Sequence, residues 1–122
     1  MMDSLAPEQF CYLTTKGRKT GKAYTVEIWF ATSPGSDTLY MLSGGGSRSD
    51  WVKNIQANPT VNVRVKDRTF TGTARIIDNP QEDNRARRLV VAKYYNRNTL
   101  NTSGWEAEAL PIAIDLRPTE AA

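Results

Sequence analysis

The 122-residue chain contains no histidine. That removes a histidine general base, Ser-His and Cys-His nucleophile couples, and any His-ligated metal from what the chain can build alone. It has one cysteine, Cys11, which excludes an internal disulfide, a Cys-x-x-Cys redox pair and an all-cysteine zinc site. No run approaches the roughly 18 apolar residues of a membrane-spanning helix. Met1 to Pro7 offers neither a basic nor an apolar segment, so no signal peptide is expected. A single unpaired thiol points to the cytoplasm, and no metal site is expected. Most self-sufficient hydrolases are excluded on these absences alone.

What is present describes one globular domain. Sixteen basic against 13 acidic residues leave a net charge of +3, and 39% of residues are hydrophobic, enough for a single core at this length. No repeat or linker divides the chain. The expected domain is 10–117, between an N-terminal tail, 1–9, and a C-terminal tail, 118–122. Strand patterns run from Phe10 to Thr15, Ala23 to Thr32, Thr38 to Ser43, Val61 to Lys66, Thr69 to Ile77 and Leu110 to Leu116. Lys16 to Lys22 reads as a hairpin loop, Ser33 to Asp37 as a turn, and Asp67-Arg68 as the joint of a second hairpin. One short helix is expected from a cap at Ser47-Arg48-Ser49-Asp50 to Asn58-Pro59, a second from Asn79-Pro80 to about Tyr95. Asn96 to Gly104 is polar and aperiodic, hence a loop; its Asn101-Thr102-Ser103 sequon is read as chance. The composite is mainly β with two short helices, a small, partly closed β-barrel.

Two segments carry candidate chemistry. Lys16, Arg18, Lys19 and Lys22 share one loop with Gly17 and Gly21; converging N–H groups and cations suit a phosphate, and the same residues suit a solvated hairpin tip. Gly44-Gly45-Gly46 runs from a strand to a helix start with Arg48 beside it, so a ligand can approach bare backbone near a positive helix end. Neither segment satisfies the P-loop or the dinucleotide-binding pattern. Trp29, Trp51 and Trp105 suit a ring pocket or a core, and Tyr94-Tyr95 a phenol donor or packing. Arg85, Arg87 and Arg88 read as a solvated helix face. Arg64, Lys66 and Arg75 give too thin a footprint for a nucleic-acid surface at this net charge, so no nucleic-acid partner is expected.

Three segments taken together resemble the deazaflavin-dependent nitroreductase family of the flavin/deazaflavin oxidoreductases. They are Thr14 to Gly21, Gly44 through Trp51 and Asn54 to Val61, and Ala109 to Leu116. The resemblance implies an FMN-binding split β-barrel like that of pyridoxamine-phosphate oxidases. It implies coenzyme F420, a deazaflavin with a phosphate and a polyglutamate tail, passing a hydride to a quinone, nitroaromatic or similar electron-poor small molecule. It implies cofactor contacts at Arg18, Lys19, Thr20 and Gly21, with Lys19 on the phosphate, and at Gly44, Gly45, Gly46, Arg48, Trp51 and Asn54. Tyr94 or Tyr95 would donate a proton, and relatives of this fold often form homodimers. Tyr24 stands where several family members have arginine. An FMN-binding oxidoreductase on the same fold and a non-catalytic cofactor-binding module are the alternatives. A hydride carried by a cofactor ring needs no protein nucleophile, which accords with the missing histidines.

Overall fold

The computed structural model of the chain describes residues 7–95 and 108–117. Trp105, the loop from Asn96 to Gly104 with its sequon, the C-terminal tail and most of the N-terminal tail therefore lie outside the described residues. The strands are β1 (Cys11–Lys16), β2 (Ala23–Ile28), β3 (Ala31–Thr32), β4 (Thr38–Ser43), β5 (Thr60–Val65), β6 (Arg68–Ile76) and β7 (Leu110–Leu116). The helices are α1 (Asp50–Ala57) and α2 (Pro80–Tyr95). All strand pairs are antiparallel, in the order β2-β1-β5-β6-β7-β4-β3.

That order explains why the stretch expected as one strand from Ala23 to Thr32 is two. β2 pairs with β1 at one edge of the sheet, β3 with β4 at the other. Only Trp29 and Phe30 separate them. Two residues span about 7 Å at most, so the sheet must curl until its edges meet. Phe30 is fully buried at this seam. The result is a seven-stranded curled barrel.

Alternation along each strand then sorts residues between interior and exterior. Leu13 of β1, Val61, Val63 and Val65 of β5, Ile112 and Ile114 of β7, and Leu39 and Met41 of β4 fill the interior. Gly72 keeps β6 close to β7: a Cβ there would lie 3.0 Å from the Asp115 carbonyl oxygen and from two side chains. β4 is buried on both faces, because Tyr40 and Leu42 point outward under α2. Ala86 and Val90 of α2 pack there, with Ala113 of β7 and Ala31 of β3.

α1 instead closes the interior. Trp51, Val52 and Ile55 enter the main core, each contributing roughly 1.5–3 kcal/mol of burial. The helix starts at Asp50, later than the cap expected at Ser47, because Gly46–Arg48 forms a 3-10 turn and Ser49 becomes the N-cap. The Ser49 hydroxyl bonds Ser43 Oγ at 3.1 Å instead of capping the helix. The Asn58-Pro59 stop is as expected. So is the α2 cap, where Asn79 Oδ1 accepts from the N–H groups of Gln81 and Glu82.

One charged network ties these layers. Arg75 of β6 donates to both oxygens of Glu82 at 2.7 and 2.8 Å, and to Asp115 Oδ2 at 2.7 Å. Tyr40 and Thr38 of β4 donate to the same carboxylates. Hydrogen bonds from Arg75 hold both carboxyl groups below their ordinary range. This basic residue is thus consumed within the protein.

Candidate functional site

The loop between β1 and β2 closes on itself. Gly17 N–H donates to the Lys22 carbonyl and Gly21 N–H to the Gly17 carbonyl, both at 2.8 Å. Gly21 sits at φ +75°, a conformation that side-chain-bearing residues adopt at a cost of roughly 1 kcal/mol. The loop is also docked on α1. Arg18 Nη2 reaches Asp50 Oδ1 at 3.2 Å, and Arg18 Nη1 and backbone N–H both donate to Asn54 Oδ1, at 2.8 and 3.2 Å. Asn54, only 2% exposed, completes the bridge by donating from Nδ2 to Thr15 Oγ1 at 3.0 Å. Asp50 and Asn54 stand four apart on one helix face; that spacing was the signal in the sequence for this docking.

A cavity of about 240 Å³ lies between loop and helix, lined by Lys19, Thr20, Lys22 and Tyr24 among others. Its one carboxylate, Asp50, is neutralised by Arg18. Among the described residues Lys19 and Lys22 make no ion pair, so the lining is net positive. A second cavity, about 400 Å³, lies across the loop, with Lys16, Asn58 and Asn62 in its wall and, among the described residues, no carboxylate.

The glycine turn that precedes α1 has three glycines with different reasons. Gly46 has φ +62°. A Cβ on Gly45 would meet Ser49 Oγ at 2.5 Å. Gly44 has neither constraint: its φ is not positive, and a Cβ would project into open space. Nothing in the packing of the described residues requires a glycine there. Arg48 is exposed, while Trp51 is 7% exposed and part of the core.

The structure thus brings Arg18, Lys19, Thr20 and Asn54 around one cavity, with Gly44, Gly45, Gly46 and Arg48 in the turn entering the same helix. It does not place Tyr94 or Tyr95 in that lining. Both stand on α2 at the barrel seam, where Trp29 stacks on Tyr94 at 4.2 Å and meets Tyr95 edge-on at 6.1 Å. The Tyr94 hydroxyl accepts from Phe30 N–H at 3.0 Å and has the Phe30 and Gln9 carbonyls at 3.0 and 2.8 Å. Lys93 donates to the Phe30 carbonyl at 2.8 Å, with its ammonium 3.7 Å from the Phe30 ring centroid.

Burial sets the titration of this cluster. It brings Lys93 down from 10.5 to about 8, pushes Cys11 up from 9.0 to about 12, and raises Tyr94 from 10.0 to about 12. Between pH 8 and 10.5 the unfolded chain holds a lysine proton that the folded one has released, so stability rises with pH. From pH 9 upward Cys11, and from pH 10 Tyr94, act oppositely: the folded state keeps a proton the unfolded state has lost. Urea midpoints are therefore expected to rise from pH 8 to 9, level off, and fall above about 10.5. In Cys11→Ala the rise should continue to about pH 10; a flat profile in both proteins would refute the assignment.

The comparisons with known proteins agree with this architecture. The family profile for F420H(2)-dependent quinone reductase matches residues 3–116. An F420H(2)-dependent quinone reductase of Mycobacterium tuberculosis (strain H37Rv) is 27% identical over 104 residues, covering 84% of this chain and 69% of that protein. Among solved structures, an F420-H2-dependent reductase superposes with a TM-score of 0.65 at 23% identity, over 87% of this chain and 93% of that one. An FAD-binding protein from Mesorhizobium loti superposes at 0.67 with 19% identity, over 96% and 87%. The structural matches show the fold, a split β-barrel of the FMN-binding kind. The profile match, spanning nearly the whole chain, makes this protein a member of the F420H(2)-dependent quinone reductase family.

Proposed function

We propose that the chain holds coenzyme F420 between the 17–22 loop and the Gly44–Arg48 turn and reduces quinones with it. The observation that carries the reading is the donor set: lysines without carboxylate partners among the described residues, and, entering the same helix, a turn whose first glycine the described packing does not need. Such a set fits an anionic, phosphate-bearing cofactor. Bound in its reduced form, F420 supplies the hydride, so the protein needs no nucleophile or metal.

The chain's residues bind and orient. Lys19 holds the phosphate, with Lys22 adding charge, and Arg48 offers a cation on the glycine turn. Gly44 admits the cofactor against bare backbone. Tyr94 or Tyr95 is the proposed proton donor; the Tyr94 hydroxyl is engaged with Phe30 and Gln9 and burial pushes its pKa up to about 12, and Tyr95 is 40% exposed. A homodimer and a cytoplasmic location belong to the same reading. The unpaired, fully buried Cys11 supports the location, and light scattering on a sizing column measures the assembly. No helix among the described residues is long and apolar enough to cross a membrane.

The test is a side-by-side fluorescence titration with coenzyme F420 and FMN. F420 is expected to bind at micromolar concentration or below, about −8 kcal/mol, and FMN more weakly. No F420 binding at about 100 micromolar, roughly −5.5 kcal/mol, would sink the reading. Gly44→Ala separates ligand from fold. It is expected to leave stability unchanged or raise it by about 0.4–1 kcal/mol, yet to weaken F420 binding about tenfold, since a methyl group costs the close approach roughly 1.4 kcal/mol. Equal affinity in the variant would show that the bare backbone serves no ligand.

A further inference from the structure

We infer that Asn54 and Arg18 act as a latch that sets the shape of the cofactor loop from behind, as positioning residues rather than cofactor contacts. This rests on the proposed binding reading and deepens it. Both polar atoms of Asn54 are used inside the protein: Oδ1 accepts twice from Arg18, and Nδ2 donates to Thr15 on β1. At 2% exposure it has little surface to offer a ligand. The Arg18 guanidinium, in turn, is directed at Asn54 and Asp50 of α1, at 2.8 and 3.2 Å.

The loop has two closing hydrogen bonds of its own, from Gly17 and Gly21, and both leave its tip free to tilt relative to the barrel. Asn54 removes that freedom, because it holds a backbone N–H of the loop and a side chain of the neighbouring strand at once. A group fixed on both sides by a buried amide is pre-organised, so the loop's ordering cost is met on folding rather than on binding. Lys19, next to the latched Arg18, is thereby presented into the cavity. The division of labour is one charge that touches the ligand and one that holds the loop.

The experiment measures amide exchange across 17–22 in the cofactor-free protein, and F420 affinity by titration, in three variants. Asn54→Ala is expected to speed loop exchange about tenfold or more and to weaken F420 binding about tenfold. Asn54→Asp is the rescue: its carboxylate still accepts from Arg18, and the Thr15 hydroxyl turns to donate to it, so loop exchange should stay within about threefold of the parent. Arg18→Ala, at a partly exposed position, keeps the backbone N–H bond to Asn54 Oδ1 and should speed loop exchange in the same direction but less, and the double variant should be no worse than Asn54→Ala. Unchanged loop exchange in Asn54→Ala and Arg18→Ala overturns the latch. Should Asn54→Ala fail to fold, Arg18→Ala and Asn54→Asp decide alone. If the parent binds no F420, the proposed function falls while the exchange result still judges the latch.

Discussion

Replacing Lys19 with alanine is expected to raise the dissociation constant for coenzyme F420 about ten- to hundredfold while leaving the melting temperature unchanged. A charge-assisted contact to phosphate is worth about 1.5–3 kcal/mol, and tenfold in affinity is about 1.4 kcal/mol. Stability should not move, because Lys19 makes no ion pair among the described residues and stands exposed on the loop. The contrast with its neighbour is the sharper part. Arg18 is held by Asp50 and Asn54, so its loss acts through loop order, whereas that of Lys19 acts on the ligand alone. Fluorescence titration at two ionic strengths checks this: affinity in the parent falls with salt, and in Lys19→Ala it should fall less. An unchanged constant would remove Lys19 from the site.

Phe30→Ala is expected to cost about 3–5 kcal/mol of stability, read from urea unfolding at pH 7.5. Phe30 is fully buried where the two sheet edges meet. Its backbone is held by Tyr94 and Lys93 of α2, and the Lys93 ammonium lies on its ring. Truncation therefore opens a cavity and uncovers a half-buried ammonium together. Against a typical 5–15 kcal/mol for a domain of this size, that is a large share. A loss under about 1 kcal/mol would mean that the seam is not a determinant of the fold.

Much of this architecture was legible in the residue order. Period-2 alternation in Val61, Val63 and Val65 located β5, and Asn79-Pro80 fixed the start of α2, because both signals act locally. The division at Trp29–Phe30 was not legible. Both halves alternate as strands, and only pairing with β1 on one side and β4 on the other separates them. For the same reason the helix start after the glycines came late: Ser49 is drawn to Ser43, a partner on β4. At the site, the loop and the glycine turn were visible as composition. That Arg18 faces α1 while Lys19 faces the cavity was hidden, because two adjacent cations look alike until a helix supplies carboxylate and amide partners for one of them.

The seam also bears on how the chain reaches its native state. β2 and β3 are neighbours in sequence, yet their strand partners are brought together only after the sheet between them exists. That requires β4 to find β7, where Thr38 lies opposite Asp115, across most of the chain. Closing loops of this span costs entropy before any contact repays it, so folding is expected on the slower scale of milliseconds to seconds. Trp29 and Phe30 would then be among the last residues to settle, and in a Trp51→Phe, Trp105→Phe background, where Trp29 is the remaining tryptophan, refolding followed by its fluorescence should lag behind the recovery of strand structure.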